Sequence, residues 1–102
     1  MTAFRSVWST LTSLRSGKKI EEHNASGRGE STTIVSVEED AITVAPPRAK
    51  GFVCIPKADF EIIWRYWSDF KAQKITRTEL REQSRYSRYI LTLFQWYEDH
   101  SG

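Results

Sequence analysis

The hydrophobic positions of the last third of the chain are too many for one face of a helix. From Tyr86 to Tyr97 the sequence reads Tyr-Ser-Arg-Tyr-Ile-Leu-Thr-Leu-Phe-Gln-Trp-Tyr. Wound as a helix, it leaves one polar strip, formed by Arg88, Thr92, Gln95 and Asp99 at spacings of four, three and four. An ordinary surface helix buries a stripe roughly 100° wide and leaves the rest wet. This one carries Tyr89, Ile90, Leu91, Leu93, Phe94, Trp96 and Tyr97 around most of its circumference. It must be covered on two sides, by the domain's own core and by a partner if the core does not suffice.

The same pattern analysis divides the remainder of the chain. Phe4, Val7, Trp8, Leu11 and Leu14 recur at helical spacing, so residues 2–16 read as an amphipathic helix, with Thr2 as N-cap and Gly17 at its end. Residues 19–24 suit a short edge strand anchored by Ile20, and 25–31, rich in Gly and Ser, a solvated loop. The β-branched runs 32–37 and 41–45 alternate and are joined by Glu38-Glu39-Asp40, which predicts a hairpin with an acidic tip. In it Ile42 and Val44 face inward, joined by Val35 and Val37. After a connector stiffened by Pro46 and Pro47, Phe52-Val-Cys-Ile55 is apolar throughout and reads as a central strand with Cys54 buried.

Pro56 suits the first turn of a helix of about 15 residues, whose stripe is Phe60, Ile63, Trp64, Trp67 and Phe70. Thr76-Arg-Thr-Glu79 has the form of a capping box, in which Thr76 and Glu79 satisfy each other's amides. The short helix it opens turns Leu80 inward and breaks at Ser84 to Ser87, where Ser87 can cap the final helix; His100 to Gly102 form a frayed tail. The expected fold is therefore one α+β domain over residues 1–102. It has an N-terminal helix, a small antiparallel sheet of three or four strands, and three C-terminal helices on one face, the last two a helix-turn-helix-like pair.

Composition narrows the function classes. A chain of 102 residues with 39% hydrophobic positions and 13% aromatic ones can fill a real core. A net charge of +2 is too small by itself to imply a polyanionic partner. A single Cys and two His exclude an intramolecular disulfide and a zinc cluster, and a reduced, cytoplasmic setting is expected. No apolar run reaches the 18 or more residues of a membrane helix. No catalytic triad, metal set or isolated carboxylate pair stands out, so no enzyme, metal or cofactor is expected. Gly27-Arg28-Gly29 lacks the Lys-Ser/Thr of a phosphate loop, the three carboxylates at 38–40 splay from a tight turn, and aromatic residues at helical spacing such as Trp64 and Trp67 read as core.

Charge does change the picture locally. Residues 71–88 hold Lys71, Lys74, Arg77, Arg81, Arg85 and Arg88 against Glu79 and Glu82 alone, leaving the rest of the chain slightly acidic. Arginine suits bidentate contact with phosphate or guanine, and the start of a helix adds amide donors. Tyr86 and Tyr89 are interleaved and suited to stacking. A short helix, a tight turn and a longer helix with a basic leading end form the order of a helix-turn-helix. These six residues are the candidate nucleic-acid contacts. The competing reading is a homo-oligomeric or protein-interaction factor, a dimer in the simplest case, with Tyr66, Tyr89, Leu93 and Trp96 at the interface.

The succession Gly17-Lys-Lys-Ile20, Thr33-Ile-Val35, Ile42-Thr-Val44, Phe60-Glu-Ile-Ile-Trp64, Thr76-Arg-Thr-Glu-Leu80 and Ser87-Arg-Tyr-Ile90 resembles a small winged-helix-like module. Such modules occur in bacterial restriction and defence proteins, often beside an HNH-type nuclease domain. The chain also resembles small orphan proteins of phages, plasmids and integron cassettes. It carries no HNH-type metal cluster, so the resemblance implies a stand-alone DNA-associated accessory domain.

Overall fold

The computed structural model describes residues 3–21, 31–46 and 51–101. The order is α1 (Phe4–Leu11), β1 (Lys19–Glu21), β2 (Ser31–Val37), β3 (Ala41–Ala45), β4 (Val53–Pro56), α2 (Lys57–Lys71), α3 (Arg77–Gln83) and α4 (Ser87–Ser101). The fold is α+β, with one antiparallel sheet of order β1-β2-β3-β4. Thr2, residues 22–30 with the Gly27-Arg28-Gly29 motif, most of the proline connector and Gly102 lie outside the described residues.

Strand register explains which side chains enter the core. Opposed residues share a face. Val37, Ile42 and Ile55 form one inward row, and Ile34, Val44 and Val53 the next. The first row ends on Ile42 and Ile55, and the second contains Ile34 and Val44, all fully buried. Between Ile34 and Ser36 the register shifts, so Val35 has no partner on β3. This bulge corrects the expected pairing of Val35 with Val37. Two inward residues three positions apart, Ile34 and Val37, are possible only because one residue is left out of the ladder.

The opposite face carries the rows Lys19, Thr33, Ala45 and Ser36, Thr43, Cys54. The expectation that 52–55 forms a central strand with a buried thiol is therefore overturned: β4 is an edge strand and Cys54 is exposed. Only Ile55 of this run is fully buried, because a single face of the sheet is covered by helices and the pleat turns every second residue away.

The helices cover the inner face. α1 is shorter than expected. Thr12 turns its hydroxyl back on the carbonyls of Trp8 and Ser9, and Ser13 on that of Thr10, a competition that ends helices. Gly17 adopts φ 91°, a left-handed conformation suited to glycine, where the chain turns into β1. The acidic hairpin tip is docked rather than free. The Trp8 indole donates to the Glu39 carbonyl at 3.2 Å, and the Lys57 amide to that of Asp40 at 2.7 Å.

α4 is the interior helix, touched by α1, α2, α3 and β1. Ile90, Leu93 and Phe94 have no exposed surface and Leu91 has 7%. The domain's own elements thus bury Ile90, Leu91, Leu93 and Phe94 and leave Tyr89, Trp96 and Tyr97 partly covered. Phe94 meets Phe60, Trp64 and Trp67 in edge-on or tilted contacts at 5.2–6.1 Å, and Trp8 continues the chain of rings through Phe60. Arg88 and Asp99 are exposed, and Thr92 and Gln95 between them are partly so, as the polar strip predicts. The expected frayed end is instead helical to Ser101; the His100 ring stacks on Trp96 at 4.8 Å and lies 2.9 Å from its carbonyl oxygen.

Candidate functional site

The turn between α3 and α4 sets the positions of the candidate arginines. Thr76 caps α3 by accepting the Glu79 amide at 3.2 Å, the first half of the expected capping box; no return bond from Glu79 is present among the described residues. α3 ends at Ser84, which is 5% exposed. Its hydroxyl donates to Asp59 at 2.7 Å and accepts the Tyr86 amide at 3.1 Å. One buried hydroxyl therefore ties the turn to the start of α2 and aims the chain into α4. Ser87, expected as the cap, lies inside the helix; the Tyr86 carbonyl accepts the first helical amides, from Tyr89 and Ile90.

Six basic side chains that are neighbours in sequence meet different fates. Lys71 is engaged internally: its ammonium contacts the Glu98 carboxylate at 2.6 Å and lies over the Trp67 ring at 5.5 Å. The Trp67 indole donates to the same carboxylate oxygen at 2.8 Å. The Lys71 and Trp67 hydrogen bonds, with the nearby Lys71 charge, hold the Glu98 pKa below its ordinary value. Arg77 packs over Phe70, with the guanidinium carbon 6.0 Å from the ring centre, and so belongs to the corner between α2 and α3. Lys74, Arg81 and Arg88 are exposed. Arg85 lies in the turn, its guanidinium 5.0 Å above the Tyr86 ring.

Arg85 opens onto a groove beside the free edge of β4. Phe52, Val53, Cys54, Arg85, Tyr86 and Tyr89 line it, and its volume is about 420 Å³. Phe52 is 71% exposed, the one large hydrophobic side chain left in solvent among the described residues. Among the described residues of the lining, Arg85 carries the formal charge. Arg85, Tyr86 and Tyr89 stand out in the sequence, whereas Phe52 was expected in a central strand. The signal that finds it is alternation counted back from Ile55: Val53 shares the inward face, which leaves Phe52 and Cys54 pointing away.

One of the four expected interface residues is interior. Leu93 has no exposed surface, so it cannot stand at the centre of a contact with another chain. Tyr66, Tyr89 and Trp96 are half-buried against the core. Trp64 and Trp67 pack on Phe94, the core role their spacing suggests. No group of His, Cys, Asp and Glu suited to a metal occurs among the described residues, and no described helix is long and apolar enough to cross a membrane. In comparisons with known proteins, no family model matches this chain, and no curated protein or solved structure matches it significantly.

Proposed function

We propose that the protein is a non-enzymatic binding module that engages nucleic acid through the α3–α4 turn, as an accessory factor of a mobile or defence system. The observation that carries this reading is the Arg85 guanidinium, laid on Tyr86 at the mouth of an open groove, with no carboxylate partner among the described residues. A guanidinium on an aromatic ring keeps its N–H edge available for phosphate, and it is less strongly hydrated than an ammonium. Exposed Arg81 in α3 and exposed Arg88 in the first turn of α4 add cationic surface. Lys71 contributes little, because Glu98 already holds it.

The burial of α4 limits the mode of contact. A recognition helix lies along the major groove and needs an exposed face. Here the middle of α4 is core, so its leading turn and the preceding turn make the contact, and its length does not. The helix-turn-helix-like order thus supports a backbone-contacting end more than a base-reading helix. Arg85→Ala with Arg88→Ala is expected to weaken binding to a DNA oligonucleotide and to lower the slope of log affinity against log salt by about 2, roughly 0.9 per lost phosphate contact. Unchanged affinity and slope in a fluorescence titration would remove the site. Self-association through Tyr66, Tyr89, Leu93 and Trp96 has less support, since Leu93 is fully buried and the other three are half-buried.

A further inference from the structure

We infer that the groove between β4 and the α3–α4 turn is a seat for an unpaired nucleotide, so that the nucleic acid engaged is single-stranded; this rests on the nucleic-acid reading above. Two observations separate a seat from a mere basic surface. The first is Phe52, a phenyl ring 71% exposed although every other large apolar side chain among the described residues is buried or half-buried. The second is its position in one concavity with Tyr89, Tyr86 and Arg85. A volume of about 420 Å³ falls in the range of small-molecule sites, roughly 300–1,000 Å³.

The division of labour follows from the ring contacts. One face of Tyr86 is occupied by the Arg85 guanidinium, so Tyr86 acts as the support of the cation. Phe52 and Tyr89 remain as the ring surfaces for a base. Stacking tolerates any base, because each has a π-face, and a phosphate beside the stacked base meets the guanidinium edge. A paired duplex keeps its base faces inside its own stack and offers none to Phe52. Among the described lining residues the formal charge is positive, that of Arg85, which favours an anionic chain over a neutral or cationic partner surface.

Cys54 provides a direct readout, since it is exposed, lines the groove and is the chain's single thiol. The test uses the full chain, a labelled oligodeoxynucleotide of about 12 nucleotides, single-stranded or annealed to its complement, at about 20 mM salt. Binding is read by anisotropy, and occupancy of the groove by the rate of Cys54 alkylation with iodoacetamide. The single strand is expected to bind more tightly than the duplex and to slow alkylation at least fivefold. Phe52→Ala is expected to weaken single-strand binding roughly 5- to 100-fold, and Phe52→Trp to preserve it. Circular dichroism and a thermal melt confirm that these variants fold, as an exposed position allows.

Single-strand binding with an unchanged alkylation rate, or unaffected by Phe52→Ala, overturns the groove while leaving the nucleic-acid reading intact. So does tight duplex binding lost only on Arg77→Ala with Arg81→Ala. An alkylation rate that falls with protein concentration alone assigns the groove to a second copy of the chain and overturns the inference. Absence of binding to either oligonucleotide defeats the wider reading as well.

Discussion

Single side chains with two tasks are the points where this fold is most easily damaged. Ser84 is the clearest case. Its hydroxyl holds Asp59 and the Tyr86 amide together, so Ser84→Ala leaves both without that partner. A loss of about 1–3 kcal/mol is expected in urea denaturation, the range for stranding a buried polar group, and arginine placement in the turn should loosen with it. Glu98 links α4 to α2 through Trp67 and Lys71. Its carboxyl pKa is lowered in the folded protein from 4.5, so its contribution is fully present above that value and disappears as pH falls through the folded value. A melting-temperature profile across acid pH should fall less steeply there for Glu98→Gln than for the native chain. Because both side chains are half-exposed, the difference should stay at or below about 1 kcal/mol.

Among the elements, α4 carries the fold. Leu93→Ala should cost about 2–5 kcal/mol, the usual cost of a large-to-small change at a fully buried site, and Leu93→Asp should leave no cooperative melt. A modest effect of Leu93→Ala in calorimetry would mean that the helix is not anchored as described. The burial of this helix was legible in the sequence because its apolar residues exceed one face, and the α3 cap because Thr76 and Glu79 stand three apart. Strand faces were harder. The bulge at Val35 reverses inward and outward for half of β2, and nothing in a run of Ile, Val and Ser marks where a residue drops out of the ladder. Likewise Phe52-Val-Cys-Ile55 reads as buried on both faces, since apolarity alone does not report that helices cover one face only. The basic cluster was legible as charge. Its division among the Lys71 ion pair with Glu98, the Arg77 ring contact at Phe70 and Arg85 in the groove at Phe52 depends on packing between distant segments.

At the scale of the whole molecule, several of the largest aromatic rings pack against one another inside. A domain with a radius of gyration of 12.8 Å holds the Trp8, Phe60, Phe94 and Trp67 rings in one connected core. The described surface shows one large exposed apolar side chain, far short of the contiguous patch that marks a stable interface. Sedimentation at high micromolar concentration should therefore find a monomer of 11.9 kDa. A dimer that persists on dilution would show that the surface is more adhesive than its side chains indicate.

The two margins of the sheet bear on how the protein survives crowding. One margin is the three-residue β1, which begins with Lys19; the other is the four-residue β4, which ends on Pro56, a residue with no amide hydrogen to offer. Strands this brief, one bearing a cation and one closed by a tertiary amide, give an incoming chain little to template against. Fibril growth by strand addition is thereby discouraged at both borders, and the molecule can leave Phe52 bare without inviting polymerisation.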